Sequence, residues 1–141
     1  MPATPTRLRR DLVAWLLAAL ALLTGANALW MLVDPARWYA ELPAGVPDTG
    51  PYNEHFVRDI GCAFATMALA LAWAAARPRW RAPLVAVVAT FLGAHAGLHV
   101  FDTARGHLAT DHWLLDLPGV YAPAAIAAVL AWRLREPVAP A

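Results

Sequence analysis

Residues 83–103 read PLVAVVATFLGAHAGLHVFDT, and this stretch decides the fold. At a rise of roughly 1.5 Å per residue it is long enough, as a helix, to cross the hydrocarbon of a bilayer. It has no period-two alternation of apolar and polar residues, and an open strand could not satisfy its backbone in lipid, so helix is the expected form. Yet its second half carries His95, His99 and Asp102. Three ionisable groups in a membrane-length run are costly there, which makes them the first candidates for function.

Three more stretches have the same character: residues 11–33, 57–76 and 118–134. Asp34-Pro35, the segment from Arg77-Pro78 to Pro83, and Leu117-Pro118-Gly119 separate them, and each of these breaks a helix. The composition agrees, with 60% hydrophobic and 15% charged residues and a mean hydropathy of +0.48. A globule of 141 residues cannot bury that much apolar surface, so the bilayer is the expected solvent. These features predict an all-α protein: a single domain, residues 1–141, built as an antiparallel bundle of four transmembrane helices. A net charge of +1 argues against a nucleic-acid partner. The single cysteine, Cys62, excludes an internal disulfide and any metal site made of several cysteines.

Orientation follows from the arginines, because basic residues near span ends stay on the cytoplasmic side. Arg7, Arg9, Arg10, Arg77, Arg79, Arg81, Arg133 and Arg135 flank one set of span ends, against Arg37, Arg58 and Arg105 on the other. Both termini are therefore expected in the cytoplasm, with the chain in the cell inner membrane and the loops after spans one and three outside. All five histidines fall in that outer half. A second reading of the first span is a cleaved secretory signal ending near Ala26-Asn27-Ala28, against which the apolar run continues through Val33.

On a helix, His95, His99 and Asp102 form one stripe, while Gly93 and Gly97 lie on the opposite side at a spacing that lets another helix approach closely. The second span repeats the pattern with His55, Asp59, Cys62 and Thr66. Spans two and three are antiparallel neighbours, so these stripes are expected to meet at one depth, joined by Asn27 from span one and Tyr121 from span four. Two imidazoles one turn apart with a carboxylate nearby can ligate a divalent ion such as Zn, Fe or Cu, with His95, His99, Asp102 and Asp59 as the set. Asn27, His55, Arg58, Asp59 and Tyr121 are the candidates for contacting a small polar ligand. Ala96 stands where the zinc-protease pattern has its Glu after the first His, so a base is missing at that position. The same polar residues could instead only hold the bundle in register.

Elsewhere the expectations are simpler. Trp38, Tyr39 and Tyr52 suit the interfacial belt, and the turn-forming segment 46–51 could fold down over the pocket. His107, Asp111 and His112 are expected in a wet loop, and Cys62 as a small packing residue in apolar surroundings.

The span number, the chain length and the segment 43–53 (PAGVPDTGPYN) leading into His55-Phe56-Val57-Arg58-Asp59-Ile60-Gly61 resemble the small four-helix bacterial membrane proteins grouped as DoxX-like. The resemblance covers most of the chain as architecture and residues 43–61 as a motif. It implies a membrane bundle and suggests redox work, because that group includes subunits of quinone-linked oxidoreductases. It carries over no catalytic residue. Three functions remain open at this point. One is a membrane protein whose outer-half His/Asp pocket binds a metal ion or small polar ligand. The second is a redox or lipid-modifying enzyme that uses the His/Asp pair for proton transfer beside a lipid-soluble substrate such as a quinone. The third is a structural partner subunit that packs through Gly93 and Gly97.

Overall fold

The computed structural model describes the backbone of residues 5–135 and the side chains of residues 12–135; Arg7, Arg9 and Arg10, used for orientation, lie outside the described side chains. The chain is all-α. Four long helices carry the spans: α1 (Pro5–Val33), α3 (Glu54–Ala76), α4 (Arg81–Ala104) and α6 (Ala122–Leu134). Two short helices, α2 (Pro35–Glu41) and α5 (His112–Leu115), lie between them, with 3-10 turns at Val46–Thr49 and Pro78–Trp80 and a π turn at Leu117–Tyr121 leading into α6. The stretches apolar enough to cross a membrane are Leu12–Val33, Glu54–Ala76, Pro78–Ala104 and Leu117–Leu134.

The bundle is two pairs, α1 on α3 and α4 on α6, joined mainly through α3 and α4. Its core is Leu17 and Leu20 of α1, Met67, Leu71 and Ala74 of α3, Val85, Val88 and Leu92 of α4, and Ala124, Ala127, Leu130 and Ala131 of α6. Outside this seam large apolar side chains are bare, Leu22, Leu23, Leu69, Val87 and Trp132 among them. Between 17% and 28% of each span's apolar stretch is buried inside the protein. Water would not tolerate the remainder as open surface, whereas acyl chains solvate it. The chain is a multi-pass membrane protein.

Glycine positions locate the closest approach. A Cβ on Gly61 would stand 3.0 Å from Met31 Cβ and 3.2 Å from Leu32 Cγ, and one on Gly25 would lie 3.5 Å from Ala68 Cβ. The tight seam is therefore between α1 and α3. Gly93 and Gly97, expected to mark a packing face, have no neighbouring heavy atom within 4 Å of an added Cβ among the described residues. They face away from the chain's own helices.

At one end, the 3-10 turn reverses the chain between α3 and α4. Arg81 is buried there and donates from Nε to Ala74 O at 3.1 Å and from Nη2 to Ala75 O at 3.2 Å. A cation on the last carbonyls of α3 answers both their unmet hydrogen bonds and the negative end of the helix dipole. At the other end, Asp34 caps α2 by accepting from the Arg37 N–H at 3.2 Å, and Asn53 caps α3 by accepting from the Phe56 N–H at 3.1 Å. These caps fix the direction in which segment 42–53 crosses that end of the bundle.

Candidate functional site

The polar residues gather at the end formed by segment 42–53, the loop after α4, and α5. Val85, Val88, Leu92, His95, His99 and Thr103 fall on one face of α4 at helical spacing, so the histidines continue the face that the core requires to point inward. His99 Nδ1 stands 2.8 Å from Asp116 Oδ2. Asp116 is 1% exposed and follows α5, one helical turn after His112, which is fully buried. His112 Nδ1 lies 3.4 Å from that same Asp116 oxygen, and His112 Nε2 lies 3.3 Å from Asp48 Oδ2 in the 3-10 turn. The Asp48 side chain is 60% exposed. Beyond His99, the His95 ring meets the His99 ring edge-on at 4.7 Å between centroids and sits against Phe64 and Phe91. Read from solvent inward, carboxylate and imidazole alternate: Asp48, His112, Asp116, His99, then His95.

Partner chemistry assigns the protons. A carboxylate only accepts, so the His99 Nδ1–H donates to Asp116 and the His112 Nε2–H donates to Asp48. In neutral His112 the Nδ1 then carries a lone pair directed at a carboxylate oxygen. Two acceptors facing each other repel, and an additional proton between them removes the conflict. Among the described residues, the only ion-pair partners of Asp116 are His99 and His112. A buried carboxylate without a compensating charge costs several kcal/mol. Both imidazoles converge on this one carboxylate, an arrangement that can pass a proton between them.

The loop that brings Asp48 to this site depends on Gly45. Its φ is +62°, and an added Cβ would lie 3.1 Å from Asp48 Oδ2 and 3.2 Å from His112 Cε1. Gly45→Ala therefore combines a left-handed backbone with contact on the His112 ring. It is expected to destabilise the protein by roughly 1–2 kcal/mol, read as a lowered midpoint in denaturant titration of detergent-solubilised protein. The loop is further tied down by the Tyr39 hydroxyl donating to Gly50 O at 2.6 Å and by the Tyr39 and Tyr52 rings at 5.2 Å.

Several residues singled out from sequence lie apart from this cluster. His55 and Asp59 pair with each other at 3.3 Å on the outside of the bundle, their side chains 89% and 61% exposed. Cys62 and Thr66, on the same stripe, are exposed as well. The reason is the opposite face of α3, where Val57, Gly61, Met67, Leu71 and Ala74 pack inward and turn that stripe away. Arg58 pairs with Glu54 and donates to Leu32 O at 3.3 Å, an interfacial tie between α3 and α1. Asn27 accepts from the Trp38 indole N–H at 2.9 Å, which docks α2 on α1. Asp102 faces His107 at 3.4 Å at the margin of the site, because Thr103 takes the central position on the inward face.

The metal set His95, His99, Asp102 and Asp59 is therefore not assembled. Among the described residues no three His, Cys, Asp or Glu side chains are arranged to hold a metal ion. His112, expected in a wet loop, is the most enclosed of the histidines, and Asp116 was not singled out at all. One signal could have found them. His112 and Asp116 are spaced four apart in HWLLD, the spacing of a helical pair, but a one-turn helix is too short to show a period.

No family model, no curated protein and no solved structure matches this chain. Function must therefore be argued from the cluster itself.

Proposed function

We propose that this protein moves protons between the aqueous phase at Asp48 and a site at membrane depth beside His95, where they serve a reaction of a lipid-soluble substrate. The observation that carries the proposal is the unbroken alternation of carboxylate and imidazole from the exposed Asp48 to the enclosed His99. An imidazole that accepts a proton on one nitrogen releases one from the other, so charge passes along such a series without accumulating. On the far side of the cluster the described core is apolar, with Leu17, Leu71, Val85 and Val88 enclosed. That pattern favours delivery to the middle of the membrane over passage across it. The arginine distribution supports an inner-membrane protein with both termini in the cytoplasm and Asp48 outside. The resemblance of residues 43–61 supports a place among DoxX-like proteins.

The test is the rate at which the histidine side-chain N–H protons exchange with water, read by NMR in lipid nanodiscs. Asp116→Asn is expected to slow exchange at His99 roughly tenfold or more while leaving His112 little changed. Asp48→Asn is expected to slow proton exchange at His112 roughly tenfold or more while leaving the fold intact. If exchange at His99 is unchanged in Asp116→Asn, the proposal fails.

A further inference from the structure

Two kinds of threonine occupy the long helices. Thr66 and Thr90, both exposed, donate their hydroxyls to the carbonyl one turn back, to Cys62 O and Ala86 O, each at 2.9 Å. Thr103 is buried and makes no such bond. Its helix packs against the π turn that carries Tyr121. The buried side-chain atoms without a hydrogen-bond partner among the described residues are Thr103 Oγ1, Tyr121 Oη, Asp116 Oδ1 and His112 Nδ1. They come from α4, the π turn, the first residue of α5 and the residue that follows it. The π turn contributes directly, because its wide loop brings the Tyr121 N–H onto Asp116 O at 3.1 Å and so holds residue 121 against residue 116.

Isolated, each of these groups would carry a desolvation penalty, and four unmet groups in one corner of a small bundle call for a common partner. Their chemistry specifies it. Two are hydroxyls that can donate, and two are acceptors: the free carboxylate oxygen and the imidazole lone pair left when Nε2–H donates to Asp48. A water molecule offers two lone pairs and two protons, which answers all four, and buried waters typically make about three such bonds. We propose that Thr103, Tyr121, Asp116 and His112 bind one internal water at the junction of α4, α5 and the π turn. It would extend the hydrogen-bonded series from Asp116 to Tyr121, a branch distinct from the one that runs to His99. The site rests on the unpartnered atoms alone and does not require the proton-transfer role.

Thr103→Val and Tyr121→Phe each delete one hydroxyl with little change in shape. A hydroxyl bound to a held water stabilises the fold, so each variant should melt below the wild type. The double variant should fall by less than the two drops added, because both act on one molecule. A dry, unpartnered hydroxyl gives the opposite sign, since deleting it relieves the penalty of burying it. A melting temperature at or above that of the wild type in either single variant overturns the proposal. Infrared difference spectra in ordinary and oxygen-18 water give a readout that does not depend on stability. The wild type should show one isotope-sensitive O–H stretch of a bound water, missing from Tyr121→Phe, and its absence from the wild type would equally overturn the site.

Discussion

Asp116→Ala is expected to destabilise the protein by about 3–5 kcal/mol, the largest effect of any single polar substitution outside the helix seams. The carboxylate is enclosed and is shared by His99 at 2.8 Å and His112 at 3.4 Å. Its removal leaves the His99 Nδ1–H without its acceptor and a gap beside His112 where the side chain stood. Denaturant titration in detergent micelles checks the size. Asp116→Asn keeps the shape and should cost less, because the amide can still accept from His99 while its own N–H₂ needs a new partner. A compensating variant separates electrostatic from packing loss: Asp116→Leu combined with His99→Leu and His112→Leu should recover most of the stability, as apolar replacement of buried ionic groups often does. Wild-type stability in Asp116→Ala would mean that the cluster is wet and open, contrary to the burial of its members.

Gly61→Leu is expected to prevent accumulation of the folded protein in the membrane. The obstruction at Gly61 is the Met31 Cβ at 3.0 Å, an atom that moves only with the α1 backbone, together with Leu32. A four-carbon side chain must therefore push the two helices apart along their whole seam, at a cost of about 3 kcal/mol or more. Gly61→Ala is the milder probe and should lower stability by roughly 1 kcal/mol. Gly93→Leu and Gly97→Leu act as controls, since an added Cβ there meets no neighbouring atom within 4 Å among the described residues. They are expected to leave the monomer's unfolding midpoint unchanged. A shift in size on gel filtration would show that this face packs against another subunit. Quantitative immunoblotting of membrane fractions compares all four variants directly, and normal levels of Gly61→Leu would contradict the close α1 and α3 contact.

The four-span bundle was legible because lipid imposes a simple rule: a long apolar run must be a helix, and its ends are marked by Pro, Asp and Arg. The spans expected at 11–33, 57–76, 83–103 and 118–134 differ from those in the structure by a few residues at their ends. The inward polar face of α4 was legible too, because His95 and His99 share the spacing of Val85, Val88 and Leu92, which the core needs. The α3 stripe misled for the converse reason. His55, Asp59, Cys62 and Thr66 have perfectly good helical spacing, but period alone does not say which side of a helix meets its neighbours, and the demand of Gly61 for contact with α1 settled the rotation. The penalty for polar groups in lipid did not prevent this, because His55 and Asp59 lie in the first two turns of α3 and face outward at its end.

By itself, then, the order of residues determined that the chain is helical, that it crosses the membrane four times, and that imidazoles and carboxylates collect at one end of it. Which of those groups touch was decided only when the chain closed on itself. The contacts that matter, Asp48 with His112 and His99 with Asp116, join residues 64 and 17 positions apart, and local periodicity carries no information about such pairs. They form because two loops, one turned by Gly45 and the other widened by the π turn at Leu117–Tyr121, fold over the same end of the bundle and enclose His112 and Asp116 there.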